Sequence, residues 1–126
     1  MMNTLSPSVL IVEDEPLIAE LICDIVDDLS MTSAIVGRAD TGLAYLEAHA
    51  VNIKLLVTDV RMPGPINGYA LAHLVAERWP EIPILISSGY AGIPTTDLPP
   101  GAFYLAKPWR HCEMLEALRS LVLRQT

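Results

Sequence analysis

Five short runs of apolar residues, separated by longer amphipathic segments, set the strongest limit on how this chain can fold. The runs lie at residues 8–12, 32–36, 54–58, 82–86 and 102–106. Strands that are apolar throughout and alternate with helices are typical of a parallel sheet covered on both faces. Apolar residues recur at helical spacing in the segments 16–29, 42–50 and 67–79 and in a last segment that ends near 123. The sequence therefore predicts a doubly wound α/β fold.

Composition and charge exclude several classes of protein. The chain has 126 residues, a size typical of one domain, and 52% of them are hydrophobic, which argues against disorder. The formal net charge is -7 and the Lys and Arg residues form no basic block, so direct nucleic-acid binding is not expected. The apolar runs are too short to span a bilayer and no signal peptide is visible, so we expect no membrane contact and a cytoplasmic location.

The cysteines and histidines form no pattern that indicates a redox or metal site. Cys23 and Cys112 belong to no CxxC motif, and both are predicted to be small buried side chains. His49, His73 and His111 lie far apart at no metal-ligand spacing and are interpreted as ordinary surface or interface residues.

Chemically reactive side chains follow four of the five predicted strands. Glu13 and Asp14 come after the first strand and Asp59 after the third. Ser88 follows the fourth strand and Lys107 follows the fifth. In open parallel sheets the working site lies at the carboxyl ends of the strands. We therefore expect three acids, a hydroxyl and an ammonium at one edge of the sheet.

Three neighbouring carboxylates require positive charge. At about 4 Å and an effective dielectric constant of about 20, each pair would repel by about 4 kcal/mol. Lys107 supplies one charge, and oxygen ligands with room for water favour Mg²⁺, or Mn²⁺ as an alternative ion. Such a set suits a phosphoryl group, with Asp59 as a nucleophile that forms an acyl phosphate.

Four motifs in order resemble the receiver domain of two-component response regulators. They are LIVEDEP (residues 10–16), TDVRMPG (residues 58–64), Ser88-Gly89 and Lys107-Pro108. The resemblance covers about residues 7–123 and implies one receiver domain over residues 1–126. It also implies a flavodoxin-like (βα)5 fold whose five strands are ordered 2-1-3-4-5.

The resemblance implies a role for each residue of the predicted site. Asp59 is the phosphoacceptor, which takes its phosphoryl group from a phosphohistidine. Glu13, Asp14, Asp59 and the backbone carbonyl of Arg61 hold Mg²⁺. Lys107 pairs with the phosphoryl group.

Further roles implied by the resemblance concern switching and the lifetime of the acyl phosphate. Ser88 senses the phosphoryl oxygens, and Tyr104 is the aromatic residue that moves inward on activation. The positions of Arg61 and Tyr90 tune hydrolysis of the acyl phosphate. Pro108 stands where the family usually has a cis peptide bond.

The chain departs from the family between Gly89 and Ala102, where receivers usually have a fourth helix. Pro94, Pro99 and Pro100 each remove a backbone donor and disfavour helical turns. We predict that this helix is short, distorted or absent.

The implied function is Mg-dependent phosphoryl acceptance in two-component signalling. The partners are a histidine kinase or a phosphotransfer protein and an unknown protein output target. The protein is expected to be a signalling protein that catalyses its own phosphorylation and dephosphorylation, not an enzyme in the usual sense. The start Met and the short tail favour a complete single-domain chain.

Three other functions fit parts of the pattern. A phosphohydrolase of the haloacid dehalogenase type needs a second acid where Arg61 stands. A flavodoxin-like cofactor binder needs a phosphate-binding loop where Glu13 and Asp14 would repel phosphate. A phosphorylation-independent binding module on the receiver fold is the main alternative, and the complete set of acids argues against it.

Overall fold

The computed structural model describes residues 6–89 and 98–123, and within these ranges five strands alternate with four α-helices. The elements in chain order are β1 (Val9–Val12), α1 (Pro16–Asp28), β2 (Ser33–Val36), α2 (Ala39–His49), a 3₁₀ turn (Ala50–Asn52), β3 (Leu55–Thr58), α3 (Gly68–Arg78), β4 (Ile84–Ser88), β5 (Phe103–Ala106) and α4 (His111–Leu123).

The strands form one parallel sheet in the order β2-β1-β3-β4-β5, which confirms the predicted fold and strand order. The last residues of β1, β2 and β3 are in register, and so are those of β4 and β5. Val12 pairs with Val36 on one side and with Thr58 on the other, and Ser88 pairs with Ala106. Because all strands run the same way, their carboxyl ends meet at one edge of the sheet.

A hydrophobic layer covers each face of the sheet. Leu10 and Val12 of β1 face a cluster that includes residues of α2 and α3. Val9 and Ile11 point to the opposite face and pack against α1 and α4. The two layers bury the strands on both sides, as their continuous apolar sequence predicts.

The helices begin where local chemistry favours a helix start. Pro16 opens α1, where its missing N–H costs no helical hydrogen bond. The Asn67 side chain caps α3 by accepting a hydrogen bond from the Ala70 N–H at 2.8 Å. The start of α2 differs from expectation, because its N-cap is Arg38 and the helix begins at Ala39 instead of near residue 42.

Two sequence predictions are corrected by the structure. β4 was predicted at residues 82–86 but runs from Ile84 to Ser88, so both serines lie within the strand, where parallel pairing with β5 extends it. Cys112 was predicted to be buried but is exposed at the start of α4, whereas Cys23 is half-buried. An apolar neighbourhood in the sequence did not place the Cys112 side chain on the inner face of its helix.

The prediction for the fourth family helix concerns the segment between Gly89 and Ala102, and residues 90–97 of that segment, including Tyr90, lie outside the described residues. Among the helices that the structure does describe, each is too short or too polar to cross a bilayer.

Candidate functional site

The acids predicted to share one edge of the sheet are brought together. Glu13 and Asp14 directly follow β1, and Asp59 directly follows β3, its neighbour in the sheet. One carboxylate oxygen from each of the three lies within 4.8 Å of the others. Glu13 is buried, Asp59 is half-buried and Asp14 is exposed. The cluster therefore has a buried side and a side open to solvent.

Lys107 supplies the positive charge on the buried side of this cluster. Its Nζ lies 3.1 Å from Glu13 Oε1 and 3.3 Å from Asp59 Oδ2. The Lys107 backbone N–H donates to the Ser88 carbonyl at 3.1 Å, just beyond the last β4–β5 pair. Lys107 thus joins the ends of β1, β3 and β4 across the sheet edge.

The electrostatic balance of the cluster is visible in two shifted pKa values. Burial raises the pKa of the Glu13 carboxyl, and the nearby Asp59 charge adds to the rise, although the Glu15 N–H and Lys107 oppose it. Burial works against the charge on Lys107, but attraction to Asp59 and Glu13 outweighs it and raises the pKa of the ammonium. The folded protein therefore disfavours the charged form of Glu13 and favours the charged form of Lys107.

Oxygen ligands and excess negative charge make the cluster suitable for a hard divalent cation. The three carboxylates outnumber the single ammonium between them. Mg²⁺ is typically held by one or two carboxylates together with water and phosphate oxygens. The residues present fit such an ion.

The loop after β3 holds the Asp59 carboxylate and backbone in place. The Val60 N–H donates to Asp59 Oδ1 at 2.7 Å, and the buried Thr58 hydroxyl donates to the Asp59 carbonyl at 2.7 Å. Gly68 packs directly against the Asp59 carbonyl, and a Cβ at Gly68 would collide with that oxygen and with Thr58 Oγ1. The first residue of α3 must therefore be glycine for the helix to approach Asp59 so closely.

Ser88 and Tyr104 meet at the end of β4. The Ser88 side chain is buried, and the Ser88 carbonyl accepts a hydrogen bond from the half-buried Tyr104 hydroxyl at 3.1 Å. The same carbonyl accepts the Lys107 N–H, so one backbone oxygen links both predicted switch residues to the cluster. The Lys107–Pro108 peptide bond is cis, as the resemblance implied.

A cleft of about 390 Å³ opens above the cluster. It is lined by Asp14, Glu15, Asp59, Arg61, Ser88, Gly89 and Lys107. A larger cleft of about 590 Å³ opens at the amino ends of the strands, but it is lined mainly by apolar residues, with Lys54 and Glu81 as its charged members. The smaller cleft is the better candidate because it contains the acids, the hydroxyl residue and the ammonium.

Three features near the cleft were missed by sequence reasoning. The sequence indicates only that a helix begins near Gly68, and the contact of Gly68 with Asp59 depends on tertiary packing. The Trp109 indole donates to the buried Ser87 hydroxyl at 2.9 Å, a contact that the local sequence does not indicate. The Arg38 guanidinium lies over Gly64, whose φ is 116°. The loop after β2 therefore packs against the loop after β3.

Arg38 also forms a bidentate ion pair with Asp40, with both hydrogen bonds at 3.0 Å. The guanidinium hydrogen bond lowers the pKa of the Asp40 carboxyl. Asp40 and Thr41, the residues of this segment with side chains suited to a helix cap, lie inside α2, and Asp40 stands in its first turn, where it orients Arg38.

Comparisons with known proteins agree with this architecture. The family described as the response regulator receiver domain matches residues 9–119. The nitrogen assimilation regulatory protein NtrX of Azorhizobium caulinodans is 30% identical over 125 residues, which cover 93% of this chain and 27% of that protein. The response regulator protein FleR of Pseudomonas aeruginosa is 28% identical over 124 residues, which cover 96% of this chain and 26% of that protein. The chain therefore spans about a quarter of the length of these relatives.

Solved structures show the same fold. A CheY-like receiver domain protein from Methanospirillum hungatei superposes with a TM-score of 0.82 at 25% identity, covering 95% of this chain and 97% of that one. The receiver domain of NtrX from Brucella abortus has a TM-score of 0.80 at 24% identity, with 91% and 98% covered.

Proposed function

Because the chain belongs to the response regulator receiver domain family of two-component systems, we propose that Asp59 accepts a phosphoryl group from a phosphohistidine. The donor is a histidine kinase or a phosphotransfer protein. A carboxylate oxygen of Asp59 attacks phosphorus, and the phosphorus–nitrogen bond breaks with its electron pair left on the imidazole. The product is an acyl phosphate on Asp59.

The observation that carries this proposal is the placement of the Lys107 ammonium, 3.1 Å from Glu13 and 3.3 Å from Asp59 at the base of the cleft. An ammonium fixed beside the nucleophile stabilises negative charge on the transferred oxygens. The Val60 N–H bond to Asp59 Oδ1 leaves the second oxygen, Oδ2, on the Lys107 side. We assign the attack on phosphorus to Oδ2.

Metal binding is assigned to Glu13, Asp14, Asp59 and the backbone carbonyl of Arg61. The proximity of the three carboxylates supports the first three of these ligands. When bound, Mg²⁺, or Mn²⁺ in its place, supplies positive charge that stabilises the phosphoryl oxygens. Glu13 and Asp14 would hold the ion. Lys107 would neutralise the part of the carboxylate charge that the ion leaves unbalanced.

Phosphorylation then changes what the protein binds. Ser88 would donate to a phosphoryl oxygen, and the Tyr104 hydroxyl, now bonded to the Ser88 carbonyl, would follow its movement. This change would control a protein output target or relay the phosphoryl group onward. The protein would act as a cytoplasmic signalling protein that catalyses only its own phosphorylation and dephosphorylation.

The lifetime of the acyl phosphate is assigned to Arg61 and Tyr90. Arg61 lines the cleft, and Tyr90 follows Gly89 of the same cleft in the sequence. A bulky side chain shields an acyl phosphate from water. Replacing Tyr90 with Ala should therefore speed the loss of the phosphoryl group, as followed by mass spectrometry after removal of the donor.

The decisive experiment is intact-mass spectrometry after incubation with acetyl phosphate and Mg²⁺. The wild-type protein should gain one phosphoryl group, and omission of Mg²⁺ should abolish the gain. Asp59→Asn should show no adduct, whereas the matched control Asp24→Asn, which changes an exposed acid of α1, should be modified like the wild type. No adduct in any protein, with acetyl phosphate or a phosphohistidine donor, would instead support the phosphorylation-independent binding module.

A further inference from the structure

The hydrogen bond between Ser87 and Trp109 lies outside the acidic cleft and ties a residue two positions after Lys107 to β4. Ser87 is 2% exposed, and its hydroxyl accepts the Trp109 indole N–H at 2.9 Å. A buried hydroxyl without a partner would be costly, so this bond has a structural reason to persist. The indole also packs in the hydrophobic cluster between the sheet, α1 and α4.

This bond restrains the short connection between β5 and α4. Lys107 lies just beyond β5, which ends at Ala106, and α4 begins only at His111. On the β5 side, the Lys107 N–H is bonded to the Ser88 carbonyl at 3.1 Å. On the α4 side, the first side chain anchored to the sheet is Trp109, through Ser87. Ser88 and Ser87 of β4 thus bond to the chain at Lys107 itself and two residues after it.

The ammonium needs such support because a lysine side chain is long and flexible. If its contacts with Glu13 and Asp59, at 3.1 and 3.3 Å, are to persist, any shift of the Lys107 backbone must be taken up by rotation within the side chain. Displacements of about 1 Å in reacting groups can slow catalysis by about a hundredfold. Partial loss of restraint at Trp109 should therefore cost less than that but remain measurable.

We propose that Ser87 and Trp109 are positioning residues that place the Lys107 ammonium for phosphoryl transfer to Asp59. They set the rate of the transfer and take no part in binding the metal ion. This inference rests on the proposed function, because it concerns the same reaction at Asp59.

The test uses one variant on each side of the bond. Trp109→Phe retains an aromatic ring for packing but loses the donor, and Ser87→Ala loses the acceptor. Accumulation of the phosphoryl adduct is followed by intact mass at saturating acetyl phosphate and Mg²⁺, and Mg²⁺ affinity is measured separately by calorimetry. We expect each variant to be slower by about three- to tenfold, with its Mg²⁺ dissociation constant changed by less than about twofold.

Two controls match the chemical changes elsewhere in the chain. Trp79→Phe alters the other tryptophan, and Ser33→Ala removes a hydroxyl bonded to Cys23. Both should be phosphorylated at the wild-type rate. The bond itself is checked by NMR, since the indole N–H resonance that Trp109→Phe removes should shift in Ser87→Ala.

A double-mutant comparison shows whether the effect passes through Lys107. The double variant of Ser87 and Trp109 should be no slower than the slower single variant, because both changes break one bond. In a Lys107→Ala background, Ser87→Ala should cause no further slowing.

Wild-type rates in both single variants would overturn the inference. It would also be overturned if Ser87→Ala slowed the Lys107→Ala protein by the same factor as it slows the wild type, or if the loss of rate in a variant were matched by an equal loss of Mg²⁺ affinity. Each of these results leaves the proposed function intact. If the wild-type protein gains no phosphoryl group at all, the proposed function fails and this inference fails with it.

Discussion

Replacing Glu13 with Gln should stabilise the protein in the absence of divalent metal. The side chain of Glu13 is only 2% exposed, although it would carry a full negative charge at neutral pH. Burial raises the pKa of this carboxyl, which means that the charged form is less favourable in the folded protein than in the unfolded chain. Gln has nearly the same shape and no charge, so it removes that penalty. Its single carbonyl oxygen can accept from the Glu15 N–H or from Lys107, and its NH2 group then faces the other donor, which limits the gain.

The size of the effect follows from the distances. With an effective dielectric constant of about 20, a unit charge 4.8 Å away repels Glu13 by about 3.5 kcal/mol. The exposed Asp14 contributes less than this because water screens it. Lys107, at 3.1 Å, attracts Glu13 by about 5 kcal/mol. Repulsion and attraction nearly cancel, and the cost of burying the charge is what remains, partly offset by the bond from the Glu15 N–H.

We therefore expect Glu13→Gln to raise the free energy of unfolding by about 1 kcal/mol at pH 7 in EDTA, or about 3–5 °C in melting temperature. The pH dependence has a definite sign. A raised pKa in the folded state means that protonated Glu13 stabilises the fold below its ordinary value of 4.5, and this stabilisation is lost as pH rises through the raised value. The advantage of the variant should therefore vanish below pH 4.5 and appear above it.

Saturating Mg²⁺ should reverse the order of stability. A ligand at a hundred times its dissociation constant adds about 2.7 kcal/mol, and the wild type retains the carboxylate that helps to bind the ion. Thermal melts with EDTA and with Mg²⁺ test both halves of the prediction. Glu20→Gln removes the same charge from an exposed position on α1 and should change neither melt by more than about 0.5 kcal/mol. A metal-free Glu13→Gln protein that is less stable than the wild type would refute the electrostatic reasoning.

Two further predictions concern Lys107 and Gly68. Lys107→Ala should lower metal-free stability by about 2 kcal/mol in urea unfolding, because two half-buried or buried carboxylates lose their ammonium; an unchanged midpoint would contradict this. The same variant should accept a phosphoryl group from acetyl phosphate at least about tenfold more slowly, and wild-type kinetics would count against a role in transfer. Gly68→Ala should destabilise the protein by about 3 kcal/mol, because its Cβ would strike the Asp59 carbonyl. The control Gly37→Ala, whose Cβ would meet the Asp14 Cα at an ordinary 3.9 Å, should cost less than about 1 kcal/mol, and equal losses would contradict the contact argument.

The meeting of Glu13, Asp14, Asp59 and Lys107 could be predicted from the sequence because parallel strands carry their carboxyl ends to one edge. The position of each residue just after an apolar run was enough to bring them together. The end of β4 was harder to predict. Ser87 and Ser88 are polar, and only pairing with β5 shows that they continue the strand.

Other contacts depend on distances that no local pattern encodes. The approach of Gly68 to Asp59 is set by the packing of α3 against the sheet, and the sequence indicates only that a helix begins there. The bond from Trp109 to Ser87 joins residues 22 positions apart in the chain. The aromatic character of Trp109 indicates nothing about this hydrogen bond.

The place of β5 in the sheet has a mechanical consequence. Among the described residues, β5 is an edge strand of four residues that pairs only with β4. At about 3.3 Å per residue, roughly 13 Å of extended chain separates Lys107 from Phe103 at the other end of the strand, and the Phe103 ring is 42% exposed. A short, stiff strand with one neighbour can tilt while breaking fewer sheet hydrogen bonds than any interior strand. β5 therefore connects the charged cleft at one end with an exposed aromatic ring at the other.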